Sequence, residues 1–152
     1  MNLTYVPAKE SDIEPLFHLS KDLIDRYENI SQINYPKVLS WVLNKIKKNI
    51  NEYNCIFRDS QKVGYYRFHS VDEKMELDDI YVFSPYQNQG IGSEIIRKCI
   101  AETGLSIFLY VFIQNTKAVS LYKKLGFRIT ETIKDSRYTM ERAVDAIEEV
   151  FK

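Results

Sequence analysis

The chain has 152 residues, 45% of them hydrophobic and 28% charged, which fits one globular domain able to bury a core without a metal or disulfide staple. Lys+Arg and Asp+Glu both number 21, so the formal net charge is zero and the basic excess of a nucleic-acid-binding protein is absent. Two cysteines (Cys55, Cys99), two histidines (His18, His69) and no CxxC argue against a disulfide framework or a structural zinc site, and for free buried thiols in a reducing cytoplasm. The N-terminal MNLTYVPAKESDIEP lacks the apolar core of a signal peptide, and no run approaches the ~18 apolar residues of a membrane span. A cytoplasmic protein with no membrane or nucleic-acid partner and no bound metal is therefore expected.

Leu3 to Pro7 reads as a first strand. Ser11 or Asp12 then caps a helix with Ile13, Leu16, Phe17, Ile24 and Tyr27 roughly on one face. A second helix follows Pro36, with Leu39, Val42, Leu43, Ile46 and Ile50 at helical spacing. Tyr53 to Arg58 and Lys62 to His69 form a hairpin across Asp59-Ser60-Gln61. Glu76 to Phe83 is a further strand, and Ser84 to Gln89 a loop, since Pro85 lacks a backbone donor and restricts Ser84. Gly90 to Thr103 is a helix with Ile91, Ile95, Ile96, Cys99 and Ile100 on one side, and Gly104 suits a left-handed C-terminal residue. Leu105 to Ile113 is apolar on both faces and reads as a central strand. Thr116 to Leu125 is a helix striped by Ala118, Leu121, Tyr122 and Leu125 and closed by Gly126. Phe127 to Ile133 and Arg137 to Arg142 form a last hairpin, and Ala143 to Phe151 an amphipathic tail. The order β-α-α-β-β-β-α-β-α-β-β is that of a mixed α/β domain.

The chemistry concentrates where the strand ending Ile80-Tyr81-Val82 meets Gln87-Asn88-Gln89-Gly90-Ile91-Gly92-Ser93. Two glycines allow backbone to approach a ligand, and a helix start presents unpaired N–H groups with a positive dipole end. That combination suits a pyrophosphate. A dinucleotide fingerprint would need a third glycine where Glu94 and Ile95 stand, and a Walker loop would need Gly-Lys-Ser/Thr, which is missing.

Gln87-x-x-Gly90-x-Gly92 after a strand and a proline resembles the Q/R-x-x-G-x-G/A loop of the GNAT superfamily of N-acetyltransferases. Asn115-x-x-Ala118-x-x-Leu121-Tyr122-x-Lys124-x-Gly126-Phe127 resembles that family's second signature, one helix and one strand downstream. The motifs cover Glu76 to Phe127, and the element order extends the likeness from about Leu3 to Arg142. The resemblance implies a GNAT-like acyl-CoA N-acyltransferase fold over residues 1–152. Its mixed central sheet would be flanked by helices, with Glu76–Phe83 and Leu105–Ile113 as splayed parallel strands. Residues 143–152 would form a tail helix. It further implies acetyl-CoA as co-substrate. The pyrophosphate would lie on the amides of Gln89, Gly90, Ile91, Gly92 and Ser93, the pantetheine arm against backbone at Tyr81 and Val82, and Asn115 on the arm's far side. The loop departs from the family in carrying Gln87-Asn88-Gln89 without Lys or Arg; Arg97, Lys98, Lys117, Lys123 and Lys124 are candidates to supply the charge.

Acetyl transfer needs a neutral amine. For a lysine-like acceptor of pKa about 10.4, deprotonation at pH 7 costs roughly 4.6 kcal/mol. The resemblance puts the general acid for the leaving thiolate at Tyr122, whose phenol near pKa 10 suits that proton. It puts the base at Glu76, fourteen residues before Gly90, with Asp78, Asp79 or a water relay as alternatives. In a strand Glu76 and Asp78 share one face and Asp79 takes the other, unless a bulge intervenes. Backbone near Val82 would face the developing oxyanion. Asp22, Asp25, Glu28, Asp78 and Asp79 could line a mouth for a cationic acceptor or be a solvated face. Tyr27, Tyr35, Trp41, Tyr65, Tyr66 and Phe68 could form an acceptor pocket or simply core. The histidines read as surface or edge residues. A small-molecule amine is favoured over a protein amine, and a second copy of the chain is a candidate partner. The alternatives are a non-catalytic CoA-binding sensor and an acyltransferase using a longer acyl-CoA.

Overall fold

A computed structural model describes residues 1–144, so the tail expected over Ala143–Phe151 lies outside the described residues beyond Val144. In chain order the main elements are β1 (Leu3–Pro7), α1 (Ile13–Tyr27), α2 (Tyr35–Asn49), β2 (Tyr53–Arg58), β3 (Gln61–Val71), β4 (Lys74–Val82), α3 (Ile91–Glu102), β5 (Ile107–Phe112), α4 (Thr116–Lys124), β6 (Arg128–Ile133) and β7 (Arg137–Arg142). The order expected from the sequence is reproduced. The strands form a mixed seven-stranded sheet in the order β1-β2-β3-β4-β5-β7-β6. β4 and β5 run parallel, pairing Met75 with Ile107 and Glu76 with Phe108, and α3 supplies the crossover that a parallel pair requires. No helix among the described residues is long and apolar enough to cross a membrane. Contacts divide the chain into two compact units, Met1–Arg67 with Asp79–Gln87, and Phe68–Asp78 with the residues from Asn88 onward.

In the first unit α1 buries Leu16 and Ile24, and α2 buries Val42 and Ile46, which is one apolar stripe per helix. Pro36 sits in the first turn of α2, and Asn34 Oδ1 accepts from the Lys37 N–H at 3.2 Å. The β2–β3 turn is one residue shorter than expected. Asp59 and Ser60 both take positive φ, 51° and 72°, which is the two-residue hairpin geometry. Gln61 consequently pairs with Arg58. The register shifts by one residue after Ile56, leaving Val63 as the extra residue of a bulge. Next to it Gly64 is required by close approach, because a Cβ there would stand 2.0 Å from the Tyr81 carbonyl oxygen.

Asp12 precedes α1, but its carboxylate does not cap the helix. It is buried and accepts from the Lys9 N–H at 3.0 Å, Lys62 Nζ at 2.9 Å and Tyr65 Oη at 2.7 Å. Burial alone would raise its pKa; the Lys62, Lys9 and Tyr65 hydrogen bonds and the Lys62 charge outweigh that and hold it at about 2. The Cys55 thiol, 3.6 Å from the same carboxylate, is pushed up to about 11 by burial and by that charge.

In the second unit α3 buries Ile91, Ile95, Ile96 and Cys99. β5 departs from expectation. It starts at Ile107, Leu105 is 46% exposed, and burial alternates: Ile107, Leu109 and Val111 are buried while Tyr110 is 47% exposed. The apolar run hides a one-sided strand because its outer positions are aromatic, and the Arg137 guanidinium lies over the Tyr110 ring at 5.6 Å. Gly104 is not left-handed; Thr103 ends α3 in extended backbone. Gly126 is left-handed at φ 95°. The Gly126 N–H bonds to the Lys123 carbonyl and the Phe127 N–H to the Tyr122 carbonyl, the Schellman pattern. In α4 the buried residue is Val119, with the expected stripe of Ala118, Leu121, Tyr122 and Leu125 half-buried beside it.

Candidate active site

The end of β4 is tied locally to the loop that follows: Gln87 Nε2 donates to the Val82 carbonyl at 2.8 Å. The Gln87 amide thus braces the loop from its own side chain. Asn88 and Gly90 both adopt left-handed backbone, φ 63° and 86°, on either side of Gln89. Alternating conformations of this kind turn successive N–H groups toward one concavity. Gly90 is the N-cap of α3 and no side chain caps the helix there, so its first-turn N–H groups have no intrahelical acceptor. Gln87, Asn88, Gln89 and Gly90 are exposed, Gly92 and Ser93 half-buried. Gly92 is informative by contrast with Gly64: a Cβ on it would meet only Leu121 Cδ2, at an ordinary 3.7 Å. Packing does not demand a glycine at 92, so the helix start there is open to close approach.

Asn115 opens α4, its Oδ1 accepting from the Ala118 N–H at 3.4 Å. In the first turn of α4, Lys117 Nζ donates to Asn88 Oδ1, which brings a cation to the uncharged loop. Of the other basic candidates, Lys98 pairs with Glu102, and Lys123 and Lys124 lie in the last turn of α4. Tyr122 is half-buried on α4, its ring 5.9 Å from Phe127.

The carboxylates expected on β4 separate. Glu76 and Asp78 gather with His69 of β3, one imidazole nitrogen and one oxygen of each carboxyl lying within 4.8 Å of one another. His69 Nε2 is 3.2 Å from Glu76 Oε1, with both side chains about 15% exposed. Asp79 goes elsewhere. Its backbone is left-handed at φ 59°, and its carboxylate accepts from Tyr53 Oη at 3.0 Å and Lys45 Nζ at 3.5 Å. Tyr81 is buried, and its hydroxyl is pushed well up by burial and by the Asp79 charge.

His69 is the residue missed by the sequence reading, which placed it at a surface or edge; it is mostly buried. The signal was present in the β3–β4 connection. Val71 and Lys74 flank a two-residue turn, and counting back in register sets His69 opposite Glu76. His18 is exposed beside Glu14, as expected. The aromatic set does not form one pocket: Tyr65 and Tyr66 are buried, Tyr65 on Asp12 and Tyr66 edge-on to Tyr5, while Trp41 is 63% exposed. Asp25 is engaged by Lys21 and Tyr35. Cys99, like Cys55, is a buried free thiol, pushed up to about 12 by burial.

Comparison with known proteins agrees with the fold. The acetyltransferase (GNAT) family pattern matches residues 18–127. The thialysine N-epsilon-acetyltransferase of Sus scrofa is 54% identical over 57 residues, 34% of this chain and 33% of that protein. The mycothiol acetyltransferase of Corynebacterium glutamicum strain R is 37% identical over 73 residues, 43% of this chain and 25% of that one. These matches span a third or less of the curated relatives' length. Among solved structures, the PaiA N-acetyltransferase of Thermoplasma acidophilum in complex with coenzyme A superposes with a TM-score of 0.66 at 22% identity, covering 94% of this chain and 99% of that one. An acetyltransferase of Thermus thermophilus gives a TM-score of 0.71 at 17% identity, covering 94% of this chain and 97% of that one. With the family pattern spanning both motifs and the intervening helix and strand, the chain belongs to the GNAT family of acetyltransferases.

Proposed function

We propose that this protein is a cytoplasmic N-acetyltransferase that moves the acetyl group of acetyl-CoA to a primary amine by direct attack on the thioester. The observation that carries the reading is the junction at the start of α3. Gly90 is left-handed, the helix start has no side-chain cap, and Gly92 is a glycine that packing does not require. In this reading the amides of Gln89, Gly90, Ile91, Gly92 and Ser93 receive the pyrophosphate, with Asn88 shaping the loop and Gln87 bracing it. Lys117 supplies the positive charge that Gln87-Asn88-Gln89 lack. Backbone at Tyr81 and Val82 and the side chain of Asn115 hold the pantetheine arm. Residues 1–152 work as one catalytic domain.

The bound thioester supplies the activated acetyl group. Glu76 takes the proton of the acceptor ammonium, so that the nitrogen lone pair can attack, and Tyr122 Oη donates a proton to the departing thiolate. Acceptors with a side-chain-like ammonium are favoured, since Glu76 and Asp78 bring two carboxyl groups together and the curated proteins similar to this chain include thialysine acetyltransferases. Calorimetric titration with acetyl-CoA, CoA and longer acyl-CoAs tests the first half. Thiol release across thialysine, lysine, polyamines, aminoglycosides and amino-terminal peptides tests the second. Micromolar binding with amine-dependent release is expected, whereas failure to bind acetyl-CoA would overturn the assignment of the loop. Binding without release from any amine would favour a sensor.

A further inference from the structure

We propose that His69 is part of the proton-accepting machinery: it acts through Glu76 as a positioning residue and final proton acceptor. This rests on the acetyltransfer reading above. His69 Nε2 and Glu76 Oε1 stand 3.2 Å apart, an ion-pair contact rather than an aligned hydrogen bond, and the two side chains are 14% and 15% exposed, so the pair sits largely out of water.

A lone glutamate is a weak base, with an ordinary pKa of about 4.3 against about 6.5 for imidazole. Passing the proton on makes its acceptance roughly 100-fold more favourable on those reference values. The balance is simple. The acceptor ammonium gives its proton to the Glu76 carboxylate, and the resulting carboxylic acid hands it to the unprotonated Nε2 of His69. The amine becomes neutral, the imidazole becomes imidazolium, and Glu76 returns to carboxylate. No charge is created, and the product is an ion pair held by the same contact.

The surrounding groups favour imidazolium. Asp78 on β4 places a second carboxylate within 4.8 Å. Across the sheet from Glu76 stand the uncharged Phe108 on β5 and then Glu141 on β7, which is engaged by Lys74 of β4 at 2.8 Å and faces Arg128 on β6. Two residues before His69 on β3, Arg67 pairs with Glu52 at 2.7 Å. Lys74 and Arg67 thus already have carboxylate partners of their own, and the carboxylates gathered on His69 are Glu76 and Asp78.

With only two histidines in the chain, the proposal is directly readable by NMR. Imidazole titration of wild type and His18→Gln identifies the His69 resonance, and Glu76→Gln then removes the charge isosterically. The His69 titration is expected to move to lower pH in Glu76→Gln than in wild type, as loss of a neighbouring negative charge requires. An unchanged titration would overturn the coupling whatever the enzyme's acceptor. The second arm is the pH dependence of kcat/KM for thiol release with the best amine of the panel. In wild type the acidic limb should follow the His69 titration. In His69→Gln the rate at pH 7 should drop about 10-fold and the limb should move toward the carboxylate range. A wild-type limb in that variant would overturn the role of His69. Absence of release from every amine would overturn the acetyltransfer reading on which the role rests, while the NMR shift would stand on its own.

Discussion

Asp12→Asn removes one charge from a buried site and leaves its shape almost unchanged. The wild-type carboxyl is 4% exposed and held at about 2, against an ordinary 3.8. At about 1.36 kcal/mol per pH unit, that difference is worth about 2 kcal/mol of folding stability at neutral pH. The sign follows from the depression. The unfolded chain takes up the proton first, so the stabilisation is complete above about pH 5 and is lost as pH falls toward 2. About half remains at pH 3. Asn keeps one acceptor oxygen for Tyr65 or the Lys9 N–H but cannot neutralise Lys62, whose side chain is 35% exposed and can draw on water. The loss at pH 7 is therefore expected at about 2–3 kcal/mol, or about 5–10 °C in Tm. Urea unfolding followed by tryptophan fluorescence and far-ultraviolet circular dichroism, at pH 7, 4, 3 and 2.5, measures it. Wild type and variant should converge as the pH falls. A gap of the same size at pH 7 and 2.5, or no gap at pH 7, would refute the electrostatic reasoning.

Tyr122→Phe should lower kcat by about 100-fold or more, the typical contribution of a general acid, with melting changed little because the ring keeps its place beside Phe127. Turnover at the wild-type rate would remove Tyr122 from the mechanism. Lys117→Ala should weaken acetyl-CoA binding about 10-fold at low salt and less at high salt, while leaving binding of phosphate-free pantetheine compounds unchanged; equal acetyl-CoA affinity in the two proteins would show that the loop needs no cation. Gly64→Ala should cost about 3 kcal/mol in urea unfolding, because its Cβ would stand 2.0 Å from backbone oxygen that has little freedom to yield. A neutral outcome would mean that β3 and β4 part there at little cost. Cys55 and Cys99, at 3% and 0% exposure, should react with thiol reagents at the rate of unfolding; fast labelling of the native protein would contradict their burial.

Two glycines of similar appearance in the sequence have opposite origins. Gly64 is forced by the fold, since Tyr81 backbone occupies the space of its missing side chain, whereas Gly92 is not forced by any neighbour closer than ordinary contact. Packing thus leaves the start of α3 open at Gly92, as the proposed pyrophosphate site requires. Asn88 and Lys117 make the complementary point. The loop carries no basic side chain of its own, and a lysine from α4 is hydrogen-bonded to it instead.

Much of the candidate site was legible in the sequence because its parts are local. The spacing of Gln87, Gly90 and Gly92 specifies a turn and a helix start within a few residues. Asn115 and Gly126 bracket α4 by capping rules that act over about three to five residues, and helical periodicity sets Tyr122 between them. The order of elements follows from the same short-range signals. What the tertiary structure decided depends on contacts far apart in sequence, where pairing register and burial choose among residues of equal local merit. Asp12 has every local qualification of a helix cap, yet Lys62 and Tyr65, fifty or so residues away, take its carboxylate. Asp78 and Asp79 are adjacent carboxylates, and a left-handed backbone at Asp79 sends the second to Tyr53 and Lys45 while the first stays with Glu76. His69 looks like an edge residue until β3 and β4 are paired. The two-residue turn sets the register of β3 against β4, but an isolated hairpin is barely stable; burial of one face of the sheet holds the pair together, and with it the imidazole against Glu76.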